Sequence, residues 1–506
     1  MKIFSVAQIR TWDQYTIENE PVTSVELMNR AARAFCEWFT KIYDDPQRPV
    51  IVIAGTGNNG GDGLAVARYL HQQFYEAKVL VYDFGGKKSA DFQAQMELLP
   101  AHHAVDIEEI NQASDFPNIS ENVVVIDALF GSGLNRPLAG DWAKIIHWLN
   151  RLPNEIVSID IPSGLFADAT SNANPVVEAD RTFSFETPKR AFFFPENADR
   201  VGAWAFGSIG LHPAFAENEQ TLFHYVTPEL ISIIRKPRKK YGHKGNYGHA
   251  LLVCGSYGKI GAAVLSARAC LRAGVGLLTL HAPRCGYEIL QSAVPEAMIE
   301  SDEHELRITQ SVDIQKYSAI GIGPGLGTHE ETAKAIHRLF QQASTPMVID
   351  ADALNLLSTY PEWWPLVPEN SILTPHPKEF ERLFGKTGND FERNDLQRAK
   401  AREHRVFIIL KGANTATALP DGSCWFNSTG NPGMATGGSG DVLTGILTGL
   451  LAQGYTSQEA CMLGVYLHGI AGDFAAERFS QEALIAGDLI EFLGAAWKDC
   501  AVPTSE

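Results

Sequence analysis

The glycine-rich stretch at residues 431–441 has the residue types of an anion-binding backbone that ends in a carboxylate. Gly437, Gly438 and Gly440 tolerate positive φ and close backbone approach, so that successive N–H groups can converge on a phosphate. Asp441 follows at a position from which a carboxylate could polarise a substrate hydroxyl facing that phosphate. The stretch therefore indicates phosphoryl chemistry with Asp441 as general base, although an Asp at this position could also only cap a helix.

The element that must position this stretch is the apolar segment that follows it. Residues 442–452 predict a helix, whose N-terminus would add partial positive charge where the glycine amides converge. A phosphate-binding glycine run at a helix start is a recurrent arrangement in nucleotide-binding proteins.

Aliphatic and β-branched runs alternate with helical patterns along both halves of the chain. They predict strands at residues 50–54, 79–82, 123–127, 156–160, 250–254, 277–280, 319–322, 347–350 and 406–410. Continuous apolar strands with intervening helices are typical of parallel sheets that are covered on both faces. We expect two α/β domains, at residues 1–226 and 227–506, because the pattern breaks near residue 227 into charged, Pro-containing and Gly/His-rich sequence.

Bulk composition excludes several classes of protein. At 506 residues the chain is too long for one ordinary core. The net charge of −17 disfavours a nucleic-acid or anionic-membrane partner, and the basic run at residues 235–240 is interpreted as a solvated linker. No segment has the apolar length of a membrane span or the pattern of a signal peptide. Seven scattered cysteines predict free thiols, with Cys254, Cys270 and Cys461 buried, and a cytoplasmic location.

Polar sequence follows three predicted strands of the first half, where ligands of parallel sheets bind. The segments are residues 58–62, 127–137 and 160–164. Asp127 and Asp160 each end an apolar strand and either could be a helix cap. Together with Asn58, Asn59 and Ser163, they predict a shared polar pocket whose oxygen ligands suit a cation.

Residues 55–60 read Gly-Thr-Gly-Asn-Asn-Gly and match the dinucleotide fingerprint Gly-x-Gly-x-x-Gly, which alone is a weak signal. The ordered set of residues 27–29, 55–63, 127–133 and 160–164 resembles the NAD(P)H-hydrate epimerase family over about residues 1–226. The resemblance implies a Rossmann-like three-layer sandwich and a potassium ion held by Asn59, Asp127 and Ser163. It also implies a pocket for hydrated NAD(P)H that contains Asn58, Asn59, Gly60, Gly61, Asp62, Gly131, Ser132, Gly133, Leu134, Asn135, Arg136, Pro137 and Asp160. Because Asp160 lies at a strand end that faces this polar pocket, we predict that it is the acid/base residue.

The second half carries further motifs, at residues 244–249, 255–262, 321–327, 374–379 and 411–415. In this order they resemble the ADP/ATP-dependent NAD(P)H-hydrate dehydratases of the ribokinase-like fold. The resemblance implies that Ala262, Gly325, His376 and Asp441 contact the hydrated dinucleotide. It implies an adenine-nucleotide site at Lys411, Gly412, Ala413, Asn414, Thr415 and Gly440. For His376 alone, a structural turn between two prolines is the competing interpretation.

The two halves, fused in this order, are similar to the bifunctional NAD(P)H-hydrate repair enzymes of prokaryotes. The resemblance implies that the first domain interconverts the R and S hydrates, NADHX or NADPHX. The second domain then dehydrates the S form with ADP, giving AMP and phosphate, with Mg²⁺ on the nucleotide. We also expect a homo-oligomer, as ribokinase-like relatives often assemble.

Two other functions remain open at this level. One is a ribokinase-like kinase of small, vitamin-type molecules with a non-catalytic N-terminal binding domain, since such kinases share the Gly-Asp ending. The other is an interaction module, because folds like the first half can serve as scaffolds for RNA or protein. The intact pocket motifs and the acidic charge weigh against the second.

Overall fold

Seven strands in the first half of the chain form a wholly parallel sheet. The computed structural model describes residues 1–99, 105–113 and 116–500. The strands of this half are β1 (Lys2–Ile3), β2 (Val50–Ala54), β3 (Ala77–Tyr82), β4 (Asp106–Ile110), β5 (Val124–Ala128), β6 (Ile156–Ile159), β7 (Arg181–Phe185) and β8 (Ala203–Gly207). Strands β2 to β8 lie in the order β4-β3-β2-β5-β6-β7-β8.

Helices cover both faces of this sheet. They are α1 (Val6–Asn19), α2 (Ser24–Ile42), α3 (Asn58–Gln72), α4 (Ala90–Leu98), α5 (Asp141–Leu149), α6 (Ala198–Val201) and α7 (Pro213–Asn218). Alternate side chains of one strand enter different cores: Val52 packs with helices α2 and α3, and Ile53 packs with α5. This alternation is what a three-layer sandwich requires, and it confirms the prediction for this half.

The second half repeats the arrangement around a larger sheet. Its strands are β9 (Phe223–Tyr225), β10 (His249–Val253), β11 (Leu277–Ala282), β12 (Met298–Ser301), β13 (Ala319–Ile322), β14 (Met347–Ile349), β15 (Ile372–Leu373), β16 (Phe407–Leu410), β17 (Thr415–Ala418) and β18 (Cys424–Asn427). They lie in the order β9-β18-β17-β16-β15-β14-β13-β10-β11-β12. Strands β16, β17 and β18 pair antiparallel, and the remaining pairs are parallel.

Helices again form layers on both sides. They are α8 (Pro228–Ile234), α9 (Ile260–Arg272), α10 (Tyr287–Ala293), α11 (Glu330–Gln342), α12 (Ala351–Thr359), α13 (Pro377–Phe384), α14 (Asp390–His404), α15 (Ser439–Ala452), α16 (Ser457–Phe479) and α17 (Ala486–Asp499). Leu252 of β10 packs with α9, α15 and α16, whereas Leu251 packs with α11 and α12. The predicted α/β class is confirmed in both halves.

The chain divides into two units. The N-terminal unit comprises residues 2–221 with 389–391, and the C-terminal unit comprises residue 1, residues 222–388 and residues 392–506. The main division falls a few residues before the predicted boundary at 226 and 227, which stays a prediction for the functional domains. All seven cysteines are free, and Cys254, Cys270 and Cys461 are buried as predicted.

The glycine-rich run after β2 extends into the helix that follows it. Helix α3 begins at Asn58, so residues 58–62 form its first turn instead of preceding the helix. The reason is close packing: a Cβ on Gly60 would lie 1.8 Å from the carbonyl oxygen of Gly55. Only glycine lets this first turn approach the strand end so closely.

Candidate functional site

The N-terminal unit has a cavity of about 680 Å³ at the carboxyl ends of β2, β5 and β6. Of the residues predicted to bind the hydrated dinucleotide, those that line it are Asn58, Asn59, Asp62, Gly131, Ser132, Gly133, Leu134, Asn135, Arg136 and Asp160. Gly60, Gly61 and Pro137 lie outside this lining. A Cβ on Gly61 would meet the Met28 side chain at 2.9 Å, so this glycine serves the packing of α3 on α2.

Asp160 is held rigidly at the end of β6. Its backbone has a φ of +64°, which places the residue in the left-handed region. The Lys189 ammonium lies 2.8 Å from Oδ1 of Asp160, and the backbone N–H of Ser132 donates to Oδ2 at 3.4 Å. Burial alone would raise the pKa of this carboxyl, but the Lys189 charge and the hydrogen bonds lower the pKa below its usual value. Asp160 is therefore a buried, ionised carboxylate.

Lys189 and Asp13 were not singled out by the sequence analysis. Lys189 is buried, and it also donates to the Ser184 hydroxyl at 2.9 Å. Asp13 lies on α1 and lines the cavity together with Glu186 and Lys189. Burial and the nearby charge of Asp160 raise the pKa of Asp13 to about 7. An isolated Asp in an amphipathic helix and a Lys after a proline carry no motif, so only the fold brings them together.

Asp127 forms the centre of a buried hydrogen-bond network with Ser163. The Ser163 hydroxyl donates to Oδ1 of Asp127 at 2.6 Å, and the Ser163 N–H donates to Oδ2 at 2.8 Å. Burial raises the pKa of Asp127, while these hydrogen bonds oppose the rise. Among the described residues, no Lys, Arg or His forms an ion pair with this carboxyl.

Asn59 lies beside this network with an unsatisfied amide. Its Nδ2 is buried without a hydrogen-bond partner. A Cβ on Gly131 would lie 3.1 Å from Oδ1 of Asn59, which shows how closely the loop after β5 approaches the amide. A buried N–H donor without a partner is unfavourable, and it indicates that a hydrogen-bond acceptor from outside this chain completes the site.

In the C-terminal unit, the glycine-rich stretch ends in helix α15. The helix begins at Ser439, with Gly438 as its N-cap at a φ of +93°, so Asp441 lies in the first turn. A cavity of about 400 Å³ opens beside it and is lined by Ala262, Gly325 and Asp441 among others. The structure thus brings together three of the four residues that were predicted to contact the hydrated dinucleotide.

The Asp441 carboxyl has the properties of a general base. Among the described residues, no group donates a hydrogen bond to it or forms an ion pair with it. Burial and the charge of Asp350 raise its pKa to about 6, although Lys411 opposes the rise. A carboxylate with this pKa is mostly ionised at neutral pH and is more basic than an exposed Asp.

Lys411 is positioned at the end of β16 by Asp350, which follows β14. The Lys411 ammonium lies 3.0 Å from Oδ1 of Asp350, and the Thr444 hydroxyl of α15 donates to Oδ2 at 2.7 Å. A Cβ on Gly440 would lie 3.3 Å from the Lys411 ammonium. Lys411 and Gly440, both predicted to bind nucleotide, are therefore adjacent.

The remaining predicted nucleotide residues form the turn between β16 and β17. Gly412 and Ala413 are exposed, and the Thr415 hydroxyl donates to the Gly412 carbonyl at 3.1 Å. Asn414 lies in the same turn, partly buried. An exposed turn that follows an anchored Lys leaves backbone N–H groups accessible to a ligand.

His376 is the N-cap of α13. Its Nδ1 accepts hydrogen bonds from the backbone N–H groups of Lys378 and Glu379, at 3.1 and 3.4 Å. Nε2 lies 3.4 Å from Oε1 of Glu379, and Glu379 lines the cavity beside Asp441. His376 thus has a structural role as a cap and also contacts a residue of the cavity wall.

Asp352 and Lys259 are further cavity residues that the sequence analysis missed. The N–H of Gly327 donates to Oδ2 of Asp352 at 2.8 Å, and the Lys259 ammonium lies 3.3 Å from the same oxygen. In residues 1–99, 105–113 and 116–500, no three His, Cys, Asp or Glu side chains are grouped as metal ligands. None of the helices in those ranges is long and apolar enough to cross a membrane.

Comparison with known families matches the two halves separately. The family described as NAD(P)H-hydrate dehydratase matches residues 250–493, and the family described as the YjeF-related protein N-terminus matches residues 24–191. A solved ADP/ATP-dependent NAD(P)H-hydrate dehydratase from Bacillus subtilis, co-crystallised with ATP and Mg²⁺, is 33% identical. It covers 55% of this chain and 98% of its own, with a TM-score of 0.48.

Full-length relatives match both halves at once. The bifunctional NAD(P)H-hydrate repair enzyme of Moorella thermoacetica is 35% identical over 97% of this chain and 96% of its own length. That of Escherichia coli is 34% identical over 93% of this chain and 89% of its own. The chain therefore belongs to the family of bifunctional NAD(P)H-hydrate repair enzymes.

Proposed function

We propose that this protein repairs hydrated NADH and NADPH by two reactions, one in each unit. The N-terminal unit interconverts the R and S hydrates, and the C-terminal unit dehydrates the S form with ADP. The observation that carries the proposal is the unpaired Asp441 carboxyl in the first turn of α15, directly after the glycine-rich stretch. Membership of the family supports it independently.

The dehydration needs activation of a poor leaving group. Water added across a double bond of the reduced nicotinamide ring leaves a hydroxyl, and hydroxide does not depart readily. Asp441 would take the hydroxyl proton as the oxygen attacks the terminal phosphoryl group of ADP, giving AMP and a phosphate ester. Phosphate then leaves, the neighbouring carbon loses a proton, and the double bond re-forms.

The nucleotide would bind where Lys411 and Gly440 meet. The Lys411 ammonium, held by Asp350, supplies a fixed positive charge for phosphate oxygens. The N-terminal amides of α15 stabilise charge on the transferred phosphoryl group. Residues 412–415 would hold the rest of the nucleotide, and Ala262, Gly325 and His376 the hydrated dinucleotide.

Mg²⁺ would reach this site mainly through the nucleotide. The Asp350 and Asp352 carboxylates are already paired with Lys411 and Lys259, respectively. Mg²⁺ commonly keeps several water ligands and binds through substrate phosphates with one or two carboxylates. The donor set near Asp441 fits that mode, in which the ion neutralises phosphate charge.

For the epimerase, Asp160 would act as acid/base toward the hydrate bound among residues 58–62 and 131–137. A potassium ion fits the neighbouring set of Asn59, Asp127 and Ser163. The buried Asp127 carboxylate has no cationic partner among the described residues. Amide, hydroxyl and carboxylate oxygens suit a hard cation, which would supply the missing positive charge and hold the loop after β5 in place.

The test is an absorbance assay on a mixture of R and S hydrated NADH with Mg²⁺, K⁺ and either ADP or ATP. Complete, nucleotide-dependent recovery of the dihydronicotinamide band supports both activities and identifies the phosphoryl donor. Asp160→Asn should stop recovery near the S fraction, and Asp441→Asn should abolish it. No recovery with either nucleotide would contradict the proposal and favour a small-molecule kinase, which would release a stable phosphorylated product.

The cation site has its own test. Replacement of K⁺ by Na⁺ should slow epimerisation and lower the Tm of the wild type. Asp127→Asn should remove both responses, because the variant lacks the charge that the cation neutralises. A wild-type protein indifferent to K⁺ would contradict the assignment.

A further inference from the structure

Inversion of the hydrate needs chemistry on two faces of the ring. The hydroxyl-bearing carbon lies next to the ring nitrogen, because water adds to an enamine at that carbon. If the hydroxyl leaves as water, the nitrogen lone pair forms a C=N⁺ bond, and water can re-add to the opposite face. One group must donate a proton to the departing oxygen, and another must accept a proton from the water that adds.

The cavity of the N-terminal unit contains two carboxyls from different elements that could fill these roles. Asp13 comes from α1, and Asp160 follows β6. Asp160 forms an ion pair with Lys189 at 2.8 Å. Asp13, in contrast, has no hydrogen bond or ion pair from the described residues, although it lines the same cavity.

Helix α1 holds Asp13 firmly in the cavity wall. The neighbouring Trp12 is buried and donates from its indole nitrogen to the His212 carbonyl at 2.9 Å. Thr16, one turn further, is also buried, and its hydroxyl accepts from the His212 N–H at 2.9 Å. A side chain fixed in this way without a partner of its own is suited to contact a ligand.

The charges around Asp13 keep the two carboxyls in opposite protonation states. Burial is the largest cause that raises the pKa of Asp13, and the negative charges of Asp160 and Glu186 raise it further. The positive charge of Lys189 opposes the rise, and the pKa is about 7. Asp62 also lines the cavity, and burial together with the charges of Asp160, Asp13 and Asp91 raises its pKa. The Lys189 charge keeps Asp160 ionised. Paired groups whose environments separate their pKa values are typical of acid/base sites.

We propose that Asp13 and Asp160 act as a two-carboxyl pair in the epimerase. This inference rests on the proposed epimerase function and adds a second catalytic residue to it. Asp13 donates its proton to the hydroxyl oxygen, the C–O bond breaks, and water leaves with the electron pair. Water then forms a new C–O bond on the other face, the electron pair of C=N⁺ returns to nitrogen, and Asp160 accepts the released proton. Exchange with solvent restores the starting protonation states.

The test uses the full chain and purified S hydrate of NADH without nucleotide, so that dehydration cannot occur. The R hydrate is separated by chromatography, and rates are corrected for the enzyme-free reaction. For the wild type, we expect kcat to fall as the pH rises through about 7, and each inversion in ¹⁸O-water to incorporate one ¹⁸O. Asp13→Asn should lower kcat about 100-fold or more, change KM little, and lose the alkaline fall.

Two further variants separate catalysis from folding. Asp13→Glu keeps a carboxyl and should recover part of kcat together with an alkaline fall. Glu18→Gln removes an exposed carboxyl from the same helix, outside the cavity, and should behave as the wild type. A KM for epimerisation close to that of the wild type confirms that each variant still binds the hydrate at this site.

The outcomes distinguish this inference from the function on which it rests. A wild-type protein that does not epimerise refutes the proposed epimerase itself. A wild type that epimerises, with Asp13→Asn within threefold of its kcat or with the alkaline fall retained, overturns the role of Asp13. Inversion without ¹⁸O uptake overturns departure of the hydroxyl.

Discussion

The Lys411 ammonium lies 3.0 Å from Oδ1 of Asp350, and the other oxygen of that carboxylate accepts a hydrogen bond from Thr444. Asp350 thereby connects the end of β16 to helix α15, on which Asp441 lies. Lys411 is only partly exposed, and Asp350 is almost fully buried. The position of the proposed phosphate-binding charge is therefore fixed relative to the proposed base before a ligand arrives.

Gly440→Ala should weaken ADP binding while leaving the fold intact. The added Cβ would lie 3.3 Å from the Lys411 ammonium, which cannot move freely because Asp350 holds it. We expect the Kd for ADP, measured by calorimetry, to rise on the order of tenfold. Gly494→Ala is the matched control, because no atom lies within 4 Å of its Cβ position. Unchanged ADP affinity in Gly440→Ala would place the phosphates elsewhere.

The dehydratase rate should depend on ionisation of Asp441. Its pKa of about 6 means that the base form predominates above that pH, so kcat/KM should fall as the pH drops below about 6. Asp441→Asn should lower kcat roughly 10²–10⁴-fold and leave ADP binding nearly unchanged. Asp395→Asn, on an exposed surface of α14, controls for the loss of one charge. A mild effect of Asp441→Asn would contradict the base assignment.

Removing either partner of the Asp160–Lys189 pair should destabilise the N-terminal unit. Both side chains are buried, and an unpaired buried charge costs about 3–5 kcal/mol. Asp160→Asn should therefore increase hydrogen exchange of residues 156–190 in the full chain. Asp160→Asn combined with Lys189→Met should restore protection without restoring epimerisation. If the double variant is no better protected than Asp160→Asn, the two charges do not stabilise each other.

Asp13→Asn should stabilise the protein at alkaline pH. The pKa of this carboxyl is about 7 in the folded state and 3.8 as an ordinary Asp, so the folded state binds more protons between these values. Stability from this group is present below about pH 4 and is lost as the pH rises through 7. Asn cannot ionise, so the Tm of the variant should exceed that of the wild type by on the order of 5 °C at pH 8 and by little at pH 4. Calorimetry measures the Tm of both proteins at each pH. An equal Tm difference at pH 4 and pH 8 would contradict a pKa of Asp13 that differs between the folded and unfolded states.

The positions of several candidate site residues are predictable from the sequence because polar residues that follow an apolar run mark the end of a strand. Asp127 and Ser163 follow separate apolar runs, and the structure joins them by hydrogen bonds of 2.6 and 2.8 Å. Asp441 and its preceding glycines also lie at a helix start as the pattern predicts. The positions of these residues, as distinct from their roles, are predictable because parallel strands and helix starts place local motifs at known edges of a sheet.

Contacts between residues that are distant in the sequence could not be predicted, because no local pattern marks them. Asp350 is interpretable as a strand end, but nothing in its neighbours indicates that Thr444 and Lys411 meet it. Strand β15 has only two residues, and β17 reads Thr-Ala-Thr-Ala without an aliphatic run, so neither carries a clear strand pattern. Glycine and asparagine disfavour helices, and the close approach to Gly55 overrides that preference in the first turn of α3.

The φ of +64° at Asp160 restricts this position independently of its carboxyl. Left-handed backbone is tolerated by Gly, Asn and Asp, whereas β-branched and bulky side chains are strained there. Most substitutions at position 160 would therefore be lost for one of two reasons. Only a few residue types are compatible with the backbone conformation, and of the three named here only Asp can transfer a proton. Replacement of Asp160 by Glu would therefore lengthen the acid and also change the backbone preference of the turn after β6.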